Sequence, residues 1–269
     1  MRERRKIAVA GATGRVGRHV VDVLETGGHA VVPMSRSTGV DVVTGDGLAE
    51  ALAGVECIVD AATAPSPDQQ VATEFFAAAA RNLQEHGDRA GVRRIVVVSI
   101  IGIDRFTGGY QAAKVAHEQL LSAGSIPVRI LRAAQFHEFV PELLEWGRQG
   151  EVAYLPRMRT QLVAARTVAE ALAGLATGPE GASGGPIPEI AGLREENLVD
   201  AARLLAARRG DPVRIEAVSN PDDPDSELLA TGALLPGPHA VLAGPTFAEW
   251  LDSASGLPRR RRAAAVAAR

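Results

Sequence analysis

Gly11, Gly14 and Gly17 stand three residues apart, between an apolar run (7–12) and a stretch with helical apolar spacing at Val16, Val20, Val23 and Leu24 (15–26). At such a junction one glycine lets the chain turn sharply. Another lets the backbone approach a pyrophosphate, and a third lets the helix pack close on the strand. The helix start then turns free N–H groups and a partial positive charge towards phosphates. Gly11, Thr13, Gly14, Arg15, Val16 and Gly17 are therefore the expected cradle of a dinucleotide. The spacing is G-x-x-G-x-x-G rather than G-x-G-x-x-G, so the weight rests on its place after a strand and before a helix.

The end of the second expected strand (29–35) selects the dinucleotide. An acidic residue there would hold the ribose hydroxyls of NAD. This chain has Ser35 and Arg36 instead. A guanidinium fork with a neighbouring hydroxyl suits a 2′-phosphate, with Arg15 as a second cation, and this favours NADP over NAD. Asp46, in Thr44-Gly45-Asp46, either reaches the adenine edge or caps the next helix. Ala62 ends a further expected strand (57–62) and is placed at the cofactor crevice.

Tyr110 and Lys114 are four apart on an expected helix and share one face. A tyrosine with its ordinary pKa of about 10 is a poor proton shuttle at neutral pH. A nearby ammonium stabilises the phenolate and lowers that pKa. Gly108-Gly109 directly before Tyr110 leaves its placement loose. Ser99 closes a buried strand, and Gln135, Phe136 and His137 follow the next one, where ligands of open α/β sheets bind. They are expected to line the substrate pocket; His137 is a second acid/base or a structural histidine, the latter favoured.

The elements that must position these groups alternate. Strands are expected at 7–12, 29–35, 41–44, 57–62, 94–101 and 128–133, with helices at 15–26, 48–53, 69–86 and 111–123. This pattern predicts a doubly wound parallel sheet with helices on both faces. Beyond about residue 136 the rhythm loosens: helices are expected at 138–149, 168–176, 195–209 and 247–254, a strand at 187–191, an exposed loop at 219–226 and a basic, Ala-rich tail from 258. The division expected is 1–150 for the binding domain, 151–256 for a smaller lobe partly returning to the sheet, and 257–269 for the tail.

Composition narrows the function. The chain has 269 residues, 46% hydrophobic and only 4% aromatic, and a net charge of −3. That balance argues against a nucleic-acid surface. No stretch is long enough to cross a bilayer, and the apolar start is too short for a signal peptide, so a cytoplasmic protein without membrane contact is expected. The lone Cys57 excludes an intrachain disulfide and is expected to be a buried, inert thiol. The histidines lack metal-ligand spacing, so no metal is expected. There is no G-x-S-x-G elbow and no phosphate-loop lysine.

Gly11-Ala-Thr-Gly-Arg-Val-Gly17, Thr44-Gly-Asp46, Val98-Ser-Ile-Ile-Gly102, Tyr110-Gln-Ala-Ala-Lys114 and Leu131-Arg-Ala-Ala-Gln-Phe-His137 follow one another as in atypical short-chain dehydrogenases/reductases. The resemblance is to the NmrA-like NAD(P)-binding branch and spans about residues 7–256. It implies a Rossmann-type fold with a smaller C-terminal substrate lobe. It also implies Tyr110 as general acid, Lys114 on the nicotinamide ribose and Ser99 on the substrate oxygen. The activity expected is NADPH-dependent reduction of a carbonyl or quinone-like small molecule by a monomer or homodimer. A redox-sensing regulator without turnover and a same-fold epimerase or dehydratase are the alternatives.

Overall fold

The computed structural model describes residues 4–179, 185–219 and 225–253. Strand and helix alternate through β1 (Lys6–Ala10), α1 (Gly17–Thr26), β2 (Ala30–Met34), α2 (Leu48–Ala51), β3 (Cys57–Asp60), α3 (Gln69–Ala90), β4 (Arg94–Ile100), α4 (Gly109–Ser122) and β5 (Val128–Ala133). There follow α5 (Phe139–Trp146), β6 (Arg148–Gln149), β7 (Val152–Pro156), β8 (Arg159–Thr160), α6 (Ala165–Thr177) and β9 (Glu189–Ala191). The chain ends through β10 (Glu196–Asn197), α7 (Leu198–Arg209), β11 (Arg214–Val218), α8 (Ser226–Thr231), β12 (Val241–Leu242) and α9 (Phe247–Asp252).

Seven strands form one parallel sheet in the order β12-β9-β5-β4-β3-β1-β2. Alternate residues of each strand feed opposite cores. Ile7 and Val9 pack under α1 and α6 with Val20, Leu24, Val168 and Leu172. Ala8 and Ala10 pack on the other face with Leu48, Ala79, Leu83 and Leu121. Burial on both faces is why these strands read as continuous apolar runs rather than alternating ones. The fold is the expected Rossmann-type doubly wound sheet. Its strand order reverses at β1, which has β2 on one side and β3 on the other, so the C-terminal ends of β1 and β3 flank the crevice where such sheets bind ligands.

Residues 41–44 are not a strand. The Asp41 carboxylate accepts from the amides of Val43 at 2.7 Å and Thr44 at 3.4 Å, and Gly45 and Gly47 take positive φ. An Asp side chain that satisfies its own backbone competes with a sheet ladder. Val40 and Val42 still reach the core, from a turn. Asn82 of α3 donates to the carbonyls of Val42 and Val43 and pins this turn in place.

A second core gathers Phe106, Leu144 of α5, Leu155 of β7, Leu205 of α7 and Trp250 of α9. It sits with a three-stranded sheet, β11-β7-β6, and a β10-β8 pair. Thus α5, before residue 150, belongs to this core, while α6, β9 and β12 return to the main sheet. The helix expected over 195–209 begins with the short strand β10. Of the loop expected at 219–226, residues 220–224 lie outside the described residues and Ser226 starts α8; the expected tail lies outside them too. No helix among the described residues is long and apolar enough to cross a membrane. Cys57 is buried, as expected, and burial pushes its thiol up to about 12.

Candidate active site

The glycine cradle is built by close backbone packing. Gly11 has φ +70°, and a Cβ there would lie 2.6 Å from the Ala61 carbonyl oxygen and 2.8 Å from the Ala62 Cα. The loops after β1 and β3 therefore touch, with Ala62 beside Gly11. A Cβ on Gly17 would lie 2.1 Å from the Gly11 carbonyl oxygen, and one on Gly14 3.1 Å from it. The Gly14 amide closes the turn onto the Gly11 carbonyl at 2.9 Å. The amides of Thr13, Arg15 and Val16 have no acceptor among the described residues. Unspent amides at a helix start fit a pyrophosphate.

At the end of β2, Ser35 opens a short turn over residues 36–38: its amide donates to the Thr38 hydroxyl at 2.9 Å, and the Thr38 amide donates to the Ser35 carbonyl at 2.9 Å. The Ser35 hydroxyl also lies 2.9 Å from that of Ser37. Arg36 is exposed and has no acidic partner among the described residues. Arg15 does not join it. Its guanidinium pairs with Glu142 and lies 5.8 Å from the Phe139 ring centre, so it reaches across to α5. Asp46 accepts from the Thr44 hydroxyl at 2.7 Å. It does not cap α2, whose N-cap is Gly47 at φ +74°.

Tyr110 and Lys114 lie on α4, but they do different work. The Tyr110 phenol is hydrogen-bonded to the exposed Thr63 hydroxyl at 2.9 Å. Burial raises its pKa, against opposing contributions from Thr63 and the Arg15 charge. Lys114 is not what tunes it, contrary to expectation. The Lys114 ammonium turns inward, donating to the Val98 carbonyl at 2.9 Å and lying 3.0 Å from His117 Nδ1. Burial holds it down at about 8, with Asp60 and Glu118 opposing. Phe76 of α3 links the pair, with its ring 5.7 Å from that of Tyr110 and 4.6 Å from the ammonium. Ser99, one residue after Val98, is 3% exposed, and its Oγ has no partner among the described residues. A buried hydroxyl without a partner fits a site completed by a ligand.

The Gly108-Gly109 segment is held, not loose. The Thr107 and Gly108 amides both donate to the Asp225 carboxylate at 2.8 Å, and Gly109 donates to Gln69 at 2.9 Å. Asp225 and Gln69 thereby place the first turn of α4, and with it Tyr110. Neither carries a sequence signal, because each meets its partner across a large separation in the chain.

Gln135, Phe136 and His137, just beyond β5, form the seam between the two cores. Gln135 accepts from the Thr160 hydroxyl at 2.5 Å, and Phe136 packs on the first core. His137 corrects its pocket assignment: it is 0% exposed, bound at 3.0 Å to the Pro245 carbonyl and packed against Phe247 and Trp250. Burial lowers its pKa to about 4, so it stays neutral in the core.

Residues 11–179 match the NAD(P)H-binding family. No curated protein matches the chain significantly in sequence. Among solved structures, a short-chain dehydrogenase/reductase superfamily protein from Agrobacterium tumefaciens with bound NAD is similar at TM-score 0.65 and 21% identity, covering 93% of this chain and 96% of that one. A UDP-N-acetylglucosamine 4-epimerase from Bacillus cereus is similar at TM-score 0.65 and 20% identity, over 91% and 93%. A dTDP-4-dehydrorhamnose reductase from Bacillus anthracis in complex with NADP is similar at TM-score 0.65 and 16% identity, over 93% and 98%. At these identities the likeness shows a shared fold.

Proposed function

Because the chain belongs to the NAD(P)H-binding family, we propose that it is an NADPH-dependent oxidoreductase of the atypical short-chain type, reducing a carbonyl or quinone-like small molecule. The observation that carries this reading is the Ser99 hydroxyl, buried and without a partner among the described residues, next to the carbonyl that holds Lys114. A bound nicotinamide supplies the hydride. The phenol of Tyr110 donates its proton to the substrate oxygen as negative charge develops there. The phenol carries its proton at neutral pH, the form a donor needs, although burial raises its pKa and makes it a weaker acid than an ordinary tyrosine. Ser99 Oγ donates a hydrogen bond to the same oxygen, the electrostatic part of the catalysis. Thr63, exposed and bonded to the phenol, passes a proton back to Tyr110 from water. Lys114 holds the nicotinamide ribose, and Arg36 with Ser35 takes the 2′-phosphate that distinguishes NADP.

A small-molecule substrate is supported by the net charge of −3 and the 4% aromatic content, both ill-suited to a nucleic-acid surface. The fold shared with an epimerase supports a second reading, in which a tightly held cofactor is reduced and reoxidised within one cycle. Net oxidation of NADPH separates the two. The deciding experiment is a fluorescence titration with NADPH and NADH on the wild type and on Arg36→Ala. Tight NADPH binding that weakens about tenfold or more in the variant, with NADH unaffected, is the expected result, given roughly 1.5–3 kcal/mol for a hydrogen bond to a charged group. Equal binding of both dinucleotides, unchanged by the substitution, overturns the NADP assignment.

A further inference from the structure

Behind Tyr110 lie three buried ionisable groups in a row. Asp60 ends β3, while Lys114 and His117 are one turn apart on α4. Their exposures are 1%, 4% and 1%. Asp60 Oδ2 lies 3.1 Å from His117 Nε2, a close but bent contact. His117 Nδ1 lies 3.0 Å from Lys114 Nζ. Phe76 stacks on the imidazole at 4.5 Å and 22° while also facing the ammonium. The other charged group acting on both Lys114 and His117 is Glu118 of α4, which is itself held by Arg132 of β5 at 2.7 Å and 3.0 Å.

Donor and acceptor capacity fixes how this row is arranged. An ammonium has only donors, so the imidazole nitrogen facing it must present a lone pair. The ring proton then sits on Nε2, towards Asp60, whose other oxygen accepts from the Ala62 amide at 3.0 Å. An imidazolium would turn an N–H against the ammonium. A neutral imidazole between one carboxylate and one ammonium leaves the buried row with no net charge, which is how buried charges are tolerated. Burial and the Lys114 charge also push the His117 pKa below its ordinary value. Lys114 thus spends one N–H on Val98 and one on His117, and its third has no acceptor among the described residues.

We propose that Asp60 and His117 are positioning residues for Lys114: Asp60 fixes the imidazole tautomer, and the free imidazole nitrogen aims the ammonium so that its third N–H reaches the ribose hydroxyls of a bound dinucleotide. This rests on Lys114 as the cofactor-holding lysine, as proposed above. It also gives the loop after β3 a double part. Ala61 and Ala62 border the glycine cradle, and Asp60, just before them, holds the lysine through His117.

Two measurements test it. The first is the ¹⁵N spectrum of the His117 ring in the wild type at pH 7. A protonated Nε2 with a bare Nδ1 is expected; an imidazolium or the Nδ1–H tautomer overturns the assignment. The second is NADPH titration of two variants, each checked for native near-UV circular dichroism. In His117→Asn the amide oxygen stands near the place of Nδ1 and keeps the acceptor for Lys114. In His117→Gln the amide extends to the place of Nε2 and keeps only the Asp60 contact. The Asn variant is expected to retain affinity within about threefold, and the Gln variant to lose about tenfold, the scale of one hydrogen bond to a charged group. Equal losses, or the reverse order, overturn the proposal. If the wild type binds neither NADPH nor NADH, the cofactor reading fails, and the ring tautomer alone then decides the Asp60–His117 arrangement.

Discussion

Replacing Gly17 by alanine puts the glycine cradle under direct strain. The added Cβ would lie 2.1 Å from the Gly11 carbonyl oxygen, 2.7 Å from its carbon and 3.1 Å from the Ala12 Cα. All three are backbone atoms, so no side chain can swing aside. Ordinary contact begins at 3.4 Å, and reaching it moves the cradle off α1 by roughly 1 Å in a close-packed interior. Overpacking of this kind costs about 1–3 kcal/mol. For a chain of this size that lowers Tm by about 2–12 °C. The same shift misaligns the amides of Thr13, Arg15 and Val16. Losing one hydrogen bond to a phosphate, worth roughly 1.5–3 kcal/mol, weakens NADPH about tenfold to a hundredfold. Thermal denaturation and fluorescence titration read the two effects separately. Gly28→Ala is the control: Gly28 has φ +81° with nothing within 4 Å of a Cβ, so it costs about 1–2 kcal/mol of backbone strain and leaves affinity unchanged. A folded Gly17→Ala that binds NADPH like the wild type, or a Gly28→Ala that loses as much affinity, refutes the cradle.

Tyr110→Phe should lower kcat by about a hundredfold to ten-thousandfold while leaving NADPH affinity intact; retained turnover removes Tyr110 as the acid. Lys114 gives a pH signature in stability. Its folded pKa, about 8, lies below its ordinary value, so above pH 8 the unfolded chain holds a proton that the folded one has shed. Its contribution is therefore fully present above the unfolded value and is lost as pH falls through about 8. Denaturant titrations from pH 7 to 10 should show wild-type stability rising relative to Lys114→Met, by on the order of 3 kcal/mol at most; parallel curves would contradict the buried ammonium. Cys57, with its thiol at about 12, should resist iodoacetamide at pH 8 in the native protein and react on unfolding, and rapid native labelling would contradict its burial.

The parts of the site legible in the sequence are those that local chemistry dictates. The glycine cradle, the uninterrupted Ile95–Val98 run and the Tyr110/Lys114 spacing each declare themselves within a few residues. What stayed hidden depends on groups far apart in the chain. Asp60 and His117 meet only because α4 packs on β4, the strand beside β3, and Asp225 finds the start of α4 from the second core. Where prediction erred, a local interaction or a distant partner intervened. Asp41 folded its own backbone into a turn in place of a strand, and Glu142 drew Arg15 across to α5. His137, placed with the pocket beside a strand end, instead took the favoured structural role, claimed by Phe247 and Trp250. The strands β7 and β11 pair in parallel with α7 between them in sequence, a partnership no short window reveals.

The passage of the chain between the two cores also has a mechanical meaning. After β5 it enters the second core with α5, returns with α6 and β9, leaves again with α7, comes back as β12 and departs with α9. The two bodies are thus stitched together by several covalent straps rather than joined by one linker. A cut at residue 150 would free neither, since it would strip α6 and two strands from the larger body and α5 from the smaller. Any relative motion of the two bodies must bend all the straps together, which favours a small, stiff displacement over a wide swing. A circular permutant with new ends at an exposed turn would keep every strap, whereas a swap of the smaller body between homologues would need several junctions at once.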